Sequence, residues 1–154
     1  MKADVVWKDI RLERTHTPEE TQELAGWFAE QLVPGDSVAL VGELGAGKTT
    51  FVRGIVHSLG YEGRVRSPSF TLVHRYPTTP PLVHADLYRL SDVDELIALN
   101  LEGDLEQGVL LVEWADKLDG EWGNPGWRVE LDIPDLTNEG LREIRLMKRE
   151  EVEG

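Results

Sequence analysis

The segment Gly42-Glu43-Leu44-Gly45-Ala46-Gly47-Lys48-Thr49 constrains the chain more than any other, because it satisfies G-x-x-x-x-G-K-[ST] at every fixed position. Such a loop works only between a buried strand and the first turn of a helix. Its glycines let the backbone wrap around phosphates with successive amides pointing inward, and the following helix presents its positive end to the anion. Lys48 offers a compact positive charge to the outer phosphates, and Thr49 offers a hydroxyl to a magnesium ion. Chance would place the motif in roughly one chain of this length in two hundred. The flanks narrow the reading further. An apolar strand, Ser37–Val41, precedes the loop, and a helical pattern from Thr49 to Leu59, ended by Gly60, follows it.

Around this unit the pattern predicts a single domain over residues 1–154. Residues 4–12 alternate loosely through Val6, Ile10 and Leu12 and read as a first strand. Thr17-Pro18-Glu19-Glu20 is a capping box, with a helix to about Leu32 carrying Leu24, Trp27, Phe28 and Leu32 on one face. Phe70–Tyr76 and Leu82–Ala85 read as strands, and Ser91-Asp92-Val93-Asp94 as a helix start leading toward Leu99. Val109–Val112 suits a strand buried on both faces. Turns are expected over Gly120–Gly126, then strands at Trp127–Ile133 and Leu141–Met147. Strand–helix alternation at the front with strands at the back predicts an α/β core with added antiparallel strands.

Charge and composition exclude several functions. The chain carries 16 basic and 29 acidic residues, a net charge of -13. Residues 1–77 hold 9 basic and 10 acidic groups, whereas residues 78–154 hold 7 and 19, so the excess sits in the second half. That field repels phosphate backbones and disfavours broad unaided nucleic-acid binding. The absence of cysteine removes disulfides, thiolate metal sites and cysteine nucleophiles. No apolar run approaches the roughly 20 residues of a membrane span. The start, MKADVVWKDI, lacks the apolar core of a signal peptide, so a cytoplasmic location is expected.

A phosphate loop needs groups that hold magnesium and orient an attacking water. Val109-Leu110-Leu111-Val112-Glu113 is an apolar strand ending in an acid, the pattern that sets a carboxylate beside the loop's metal. Leu82-Val83-His84-Ala85-Asp86 is a weaker version, and Asp86 can act through water, since Mg²⁺ retains several waters. Against these stands the plainer reading of two acids at strand ends facing solvent. The hydroxyls of Ser67-Pro68-Ser69-Phe70-Thr71 suit a segment that senses a terminal phosphate, or an ordinary turn. Arg64, Arg66 and Arg75 flank it as a local basic patch or a solvated surface. The four histidines show no metal-ligand spacing; His57 reads as structural and His84 as packing near Asp86. Trp114, directly after Glu113, reads as core packing in preference to a shield over the site.

Taken in order, Gly42–Thr50 (GELGAGKTT), Ser67–Leu72 (SPSFTL), His84–Leu90 (HADLYRL) and Val112–Trp114 (VEW) resemble the small bacterial TsaE (YjeE) ATPases. These take part in threonylcarbamoyl modification of the adenosine beside the tRNA anticodon. The resemblance runs from about Thr15 to Leu118. It implies a P-loop NTPase-like mixed sheet with flanking helices, and ATP with Mg²⁺ as ligand, hydrolysed slowly. It makes Thr49 and Glu113 the magnesium residues, and Lys48, Asp86 and Glu113 the catalytic ones. It assigns the nucleotide to Gly45, Ala46, Gly47, Lys48, Thr49 and Thr50, with the segment around Thr17 near the adenine. The family usually has threonine where this chain has Ser69, which keeps the hydroxyl and drops a methyl. The resemblance further implies a two-protein threonylcarbamoyl transferase complex as partner, with tRNA engaged only indirectly.

Two other classes share the loop. A small-molecule kinase needs an acceptor pocket and usually an arginine-rich lid, and no such run follows Asp94. A nucleotide-gated binding module would share every site residue and differ in treating hydrolysis as incidental. A GTP switch is disfavoured by the absence of the Asn-Lys-x-Asp guanine-reading motif.

Overall fold

Four parallel strands carry the phosphate loop in the computed structural model of the chain, which describes residues 4–68, 72–115 and 125–152. They are β2 (Ser37–Gly42), β4 (Leu82–Asp86), β5 (Val109–Glu113) and β6 (Trp127–Asp132), joined by β1 (Asp4–Thr15), β3 (Val73–Tyr76) and β7 (Arg142–Val152). The seven form one sheet in the order β1-β7-β6-β2-β5-β4-β3. β3 pairs antiparallel with β4, and β7 pairs antiparallel with both β6 and β1. The expected parallel core with antiparallel additions is therefore present, and the strand order is what the pattern left open.

Side-chain alternation divides the core between two faces. Leu82, Val109 and Leu111 pack toward α1 (Pro18–Ala29) and α2 (Lys48–Ser58). Val83, Ala85, Leu110 and Val112 point the other way, onto Leu96 of α3 (Val93–Ala98) and Leu101 of α4 (Leu101–Gln107). On the first face Phe28 meets Trp127 edge-on at 5.3 Å between centroids and lies 5.8 Å from Phe51. Aromatic pairs of this kind add to the burial of their own surface.

The capping box forms with one shift. Thr17 Oγ1 accepts the Glu20 amide at 3.1 Å, while the Glu20 carboxylate reaches back to the amide of His16 at 3.4 Å rather than that of Thr17. Regular α1 stops at Ala29, and the amides of Glu30, Gln31 and Leu32 bond three residues back, a tightened last turn. The first strand outruns its expected end at Leu12 because β7 pairs with it as far as Thr15. Val73–Tyr76 is the observed part of the strand expected from Phe70; Ser69, Phe70 and Thr71 lie outside the described residues, as does residues 120–124 of the expected turn region. α4 is new, and it is set off from α3 by Asn100, whose φ of 53° breaks the helical path. No described helix is long and apolar enough to cross a membrane.

α1 and α2 touch through their backbones at one point. A Cβ on Gly54 would sit 2.7 Å from both Ala25 Cβ and the Gln22 carbonyl oxygen. Overfilling such a contact costs about 1–3 kcal/mol. Gly54→Val should lower stability by that amount in urea denaturation, and an unchanged midpoint would show that the helix pair separates freely.

Candidate phosphate-binding site

β2 ends at Gly42 and the chain turns through Gly45 and Gly47, whose φ values of 85° and 103° are open to glycine and strained for other residues. α2 begins at Lys48 with no side chain capping its first amides, so they face the loop's concave side. Lys48 folds back over that loop. Its ammonium donates to the Gly42 carbonyl at 2.7 Å and lies 3.0 Å from Glu113 Oε1.

Register explains how Glu113 arrives there. Leu40, Glu113 and Asp86 stand side by side at the ends of β2, β5 and β4. Glu113 shares the parity of Val109 and Leu111, and His84 and Asp86 that of Leu82, so all three face α2. Glu113 is 6% exposed, and its Oε2 accepts from His84 Nε2 at 2.8 Å, with His84 itself 1% exposed. Asp86 Oδ1 accepts the Tyr88 amide at 3.0 Å. Burial pushes the Glu113 carboxyl up, but the contacts with His84 and Lys48 outweigh it and hold the group below the usual glutamate value.

A cavity of 1270 Å³ opens over the loop. Gly45, Gly47, Lys48, Thr49, Thr50, Asp86 and Glu113 line it, together with Ser67 and Arg89. Its further wall is Arg128, Glu130 and Asp132 of β6. Two residues assigned to the nucleotide stand apart from this lining. Ala46 is buried beneath the loop, and Thr17 is the exposed cap of α1.

Three readings of side chains change. His84 meets Glu113 rather than Asp86. Arg75 leaves the basic patch, since its guanidinium grips Asp104 at 2.8 Å and the Leu99 carbonyl at 3.1 Å. Trp114 is not core: it is 49% exposed, adopts a φ of 61°, and lies 4.9 Å from the exposed ring of Tyr88. Positive φ in a bulky residue is an outlier that its surroundings must enforce.

Sequence reasoning missed Arg142. From the start of β7 its guanidinium donates to the Gly45 carbonyl at 3.1 Å and to the carbonyls of Glu139 and Leu141 at 2.7 and 2.8 Å. It thereby ties the tip of the phosphate loop to a strand 97 residues away in sequence. No local pattern announces such a contact.

Parallel strands, a phosphate loop after β2 and an acid at the end of the neighbouring strand define a P-loop NTPase-like α/β protein. The chain belongs to the TsaE family. The family model described as "Threonylcarbamoyl adenosine biosynthesis protein TsaE" matches residues 15–144. A tRNA threonylcarbamoyladenosine biosynthesis protein TsaE of Mycobacterium tuberculosis is 44% identical over 110 residues, covering 65% of this chain and 66% of its own length. The protein of the same description from Bacillus subtilis is 47% identical over 103 residues, covering 66% and 65%. The matched segments thus span just under two thirds of those relatives. A crystal structure of Bacillus subtilis YdiB matches with a TM-score of 0.68 at 34% identity, over 93% of this chain and 87% of that one.

The lowered acidity of Glu113 fixes a sign. Its contribution to stability is complete above the usual glutamate value and disappears as pH falls through the lower value of the folded protein. Glu113→Gln should therefore be less stable than the unaltered protein at pH 7, with the gap closing in acid. The check is a set of paired denaturation curves between pH 3 and 7; a gap that stays constant would mean that the carboxylate is not held ionised by these contacts.

Proposed function

We propose that this protein is a Mg²⁺-dependent ATPase that serves as a partner subunit in threonylcarbamoyl modification of the adenosine next to the tRNA anticodon. The observation that supports this most is the convergence of Lys48, Thr49, Asp86 and Glu113 on one cavity above a complete phosphate loop. The relatives' descriptions supply the pathway. We place the protein in the cytoplasm as a single P-loop domain.

The donor set fits magnesium in a sparse way. No described group of three or more His, Cys, Asp or Glu could hold a metal ion. Mg²⁺ at a phosphate site needs fewer, because phosphate oxygens and water complete its shell. Thr49 and Glu113 would hold it, with Asp86 acting through water. Bound magnesium neutralises charge on the phosphates and screens the charge that develops during transfer. The protein's own contribution is positional. Glycine backbone and the α2 amides bind the phosphates, and Lys48 moves from Glu113 to the outer ones. The emptied side of Glu113 and the Asp86 carboxylate then face the reacting end.

Nothing in the lining is an unmistakable water-orienting group, and Arg89, which also lines the cavity, is a candidate cis cation. Turnover alone is accordingly slow. A partner that supplies the missing charge can raise it roughly 10³-fold or more. The partner we propose is the two-protein threonylcarbamoyl transferase complex, docked at the cavity mouth beside Ser67. tRNA engages only indirectly, in keeping with the acidic second half of the chain.

Lys48→Ala should weaken ATP binding about 10–100-fold, the worth of a hydrogen bond to a charged group, and reduce hydrolysis to background. Calorimetry and phosphate release on the folded variant test it, and near-normal values for both would sink the assignment. The partner reading is tested by ATPase rates with tRNA alone, the transferase complex alone, and both. Stimulation is expected only when the complex is present; strong stimulation by tRNA alone would overturn the division of labour.

A further inference from the structure

Glu113 has two neighbours, and only one of them is free to stay. Its Oε1 faces Lys48 at 3.0 Å and its Oε2 accepts from His84 at 2.8 Å. When Lys48 turns to a phosphate, the carboxylate remains buried with His84 as its surviving partner. A buried carboxylate that loses every partner turns its side chain or takes up a proton.

We infer that His84 is a positioning residue that fixes the Glu113 carboxylate so that Oε1 alone faces the phosphate loop, both before and after Lys48 departs. The inference rests on the ATPase reading above and deepens it. Three observations support it. His84 is 1% exposed and lies one strand over, facing the same side of the sheet. Its Nε2 donates to Oε2 of the carboxylate at 2.8 Å. Nδ1 has no partner among the described residues, so the ring is oriented toward Glu113 by that single contact and by packing. A donor behind a metal-holding carboxylate orients it, and its loss typically costs 10–100-fold in metal affinity.

The test separates orientation from packing. A glutamine at position 84 places an amide donor where Nε2 stands; an asparagine falls one bond short. The readout is binding of the imido analogue of ATP as a function of Mg²⁺, and again in EDTA, with denaturation midpoints measured in parallel. His84→Asn should raise the Mg²⁺ concentration for half-saturation about tenfold and change the affinity in EDTA less than twofold. His84→Gln should behave like the unaltered protein. If His84→Asn does not fold, His84→Leu takes its place, with the same expected outcome. Unchanged Mg²⁺ dependence in the short or apolar variant would overturn the inference and leave the ATPase reading standing. Equal losses with and without Mg²⁺, in the glutamine variant as well, would reduce His84 to packing. Nucleotide binding by the unaltered protein that ignores Mg²⁺ would overturn the ATPase reading itself, and this inference with it.

Discussion

The carboxylate of a residue only 6% exposed is costly unless its charge is met, and around Glu113 that requirement organises the centre of the molecule. Lys48 comes to it from the first turn of α2, and His84 from the adjacent strand. Both favour the ionised acid, so the phosphate loop, β5 and β4 are tied together by charge as well as by backbone pairing. Replacing the acid with an apolar residue could satisfy packing, but it would leave Lys48 with only the Gly42 carbonyl. This electrostatic arrangement therefore limits how the strand ends can be rebuilt.

The strands beyond β2, parallel β6 and antiparallel β7, act on the same place from the other side. β6 lies against β2 and contributes Arg128, Glu130 and Asp132 to the cavity wall. β7 starts where Arg142 can reach the Gly45 carbonyl. A glycine-rich loop has much conformational freedom to lose; an arginine bonded to its tip removes part of that freedom beforehand. An antiparallel strand that looks like decoration on a parallel core, β7, thus braces the segment that the core presents.

Local physics was legible in the sequence, and long-range geometry was not. The phosphate loop, the Thr17 cap and the acids at the ends of Val109–Glu113 and Leu82–Asp86 follow from rules that operate within a few residues. The contacts His84–Glu113, Arg75–Asp104 and Arg142–Gly45 join residues 29, 29 and 97 positions apart, and each depends on strand order. Once β4 and β5 are known to be parallel neighbours, period-two alternation puts His84 and Glu113 on one face. Of the two readings of Trp114, core packing fails for a different reason, and the residue lines the cavity instead. Its type favours burial, but the backbone turns to positive φ directly after Glu113 and carries the ring outward beside Tyr88.

The near-contact of backbones at Gly54 has a mechanical consequence. Two helices pressed together at van der Waals distance, with Ala25 and Gln22 on one side and Gly54 on the other, leave no room to slide past each other without a clash. α1 and α2 must then travel as one block, and the phosphate loop, rooted in α2, has a stiff abutment behind it. Tyr88 and Trp114, just past the ends of β4 and β5, line the cavity without any such backing from that helix pair.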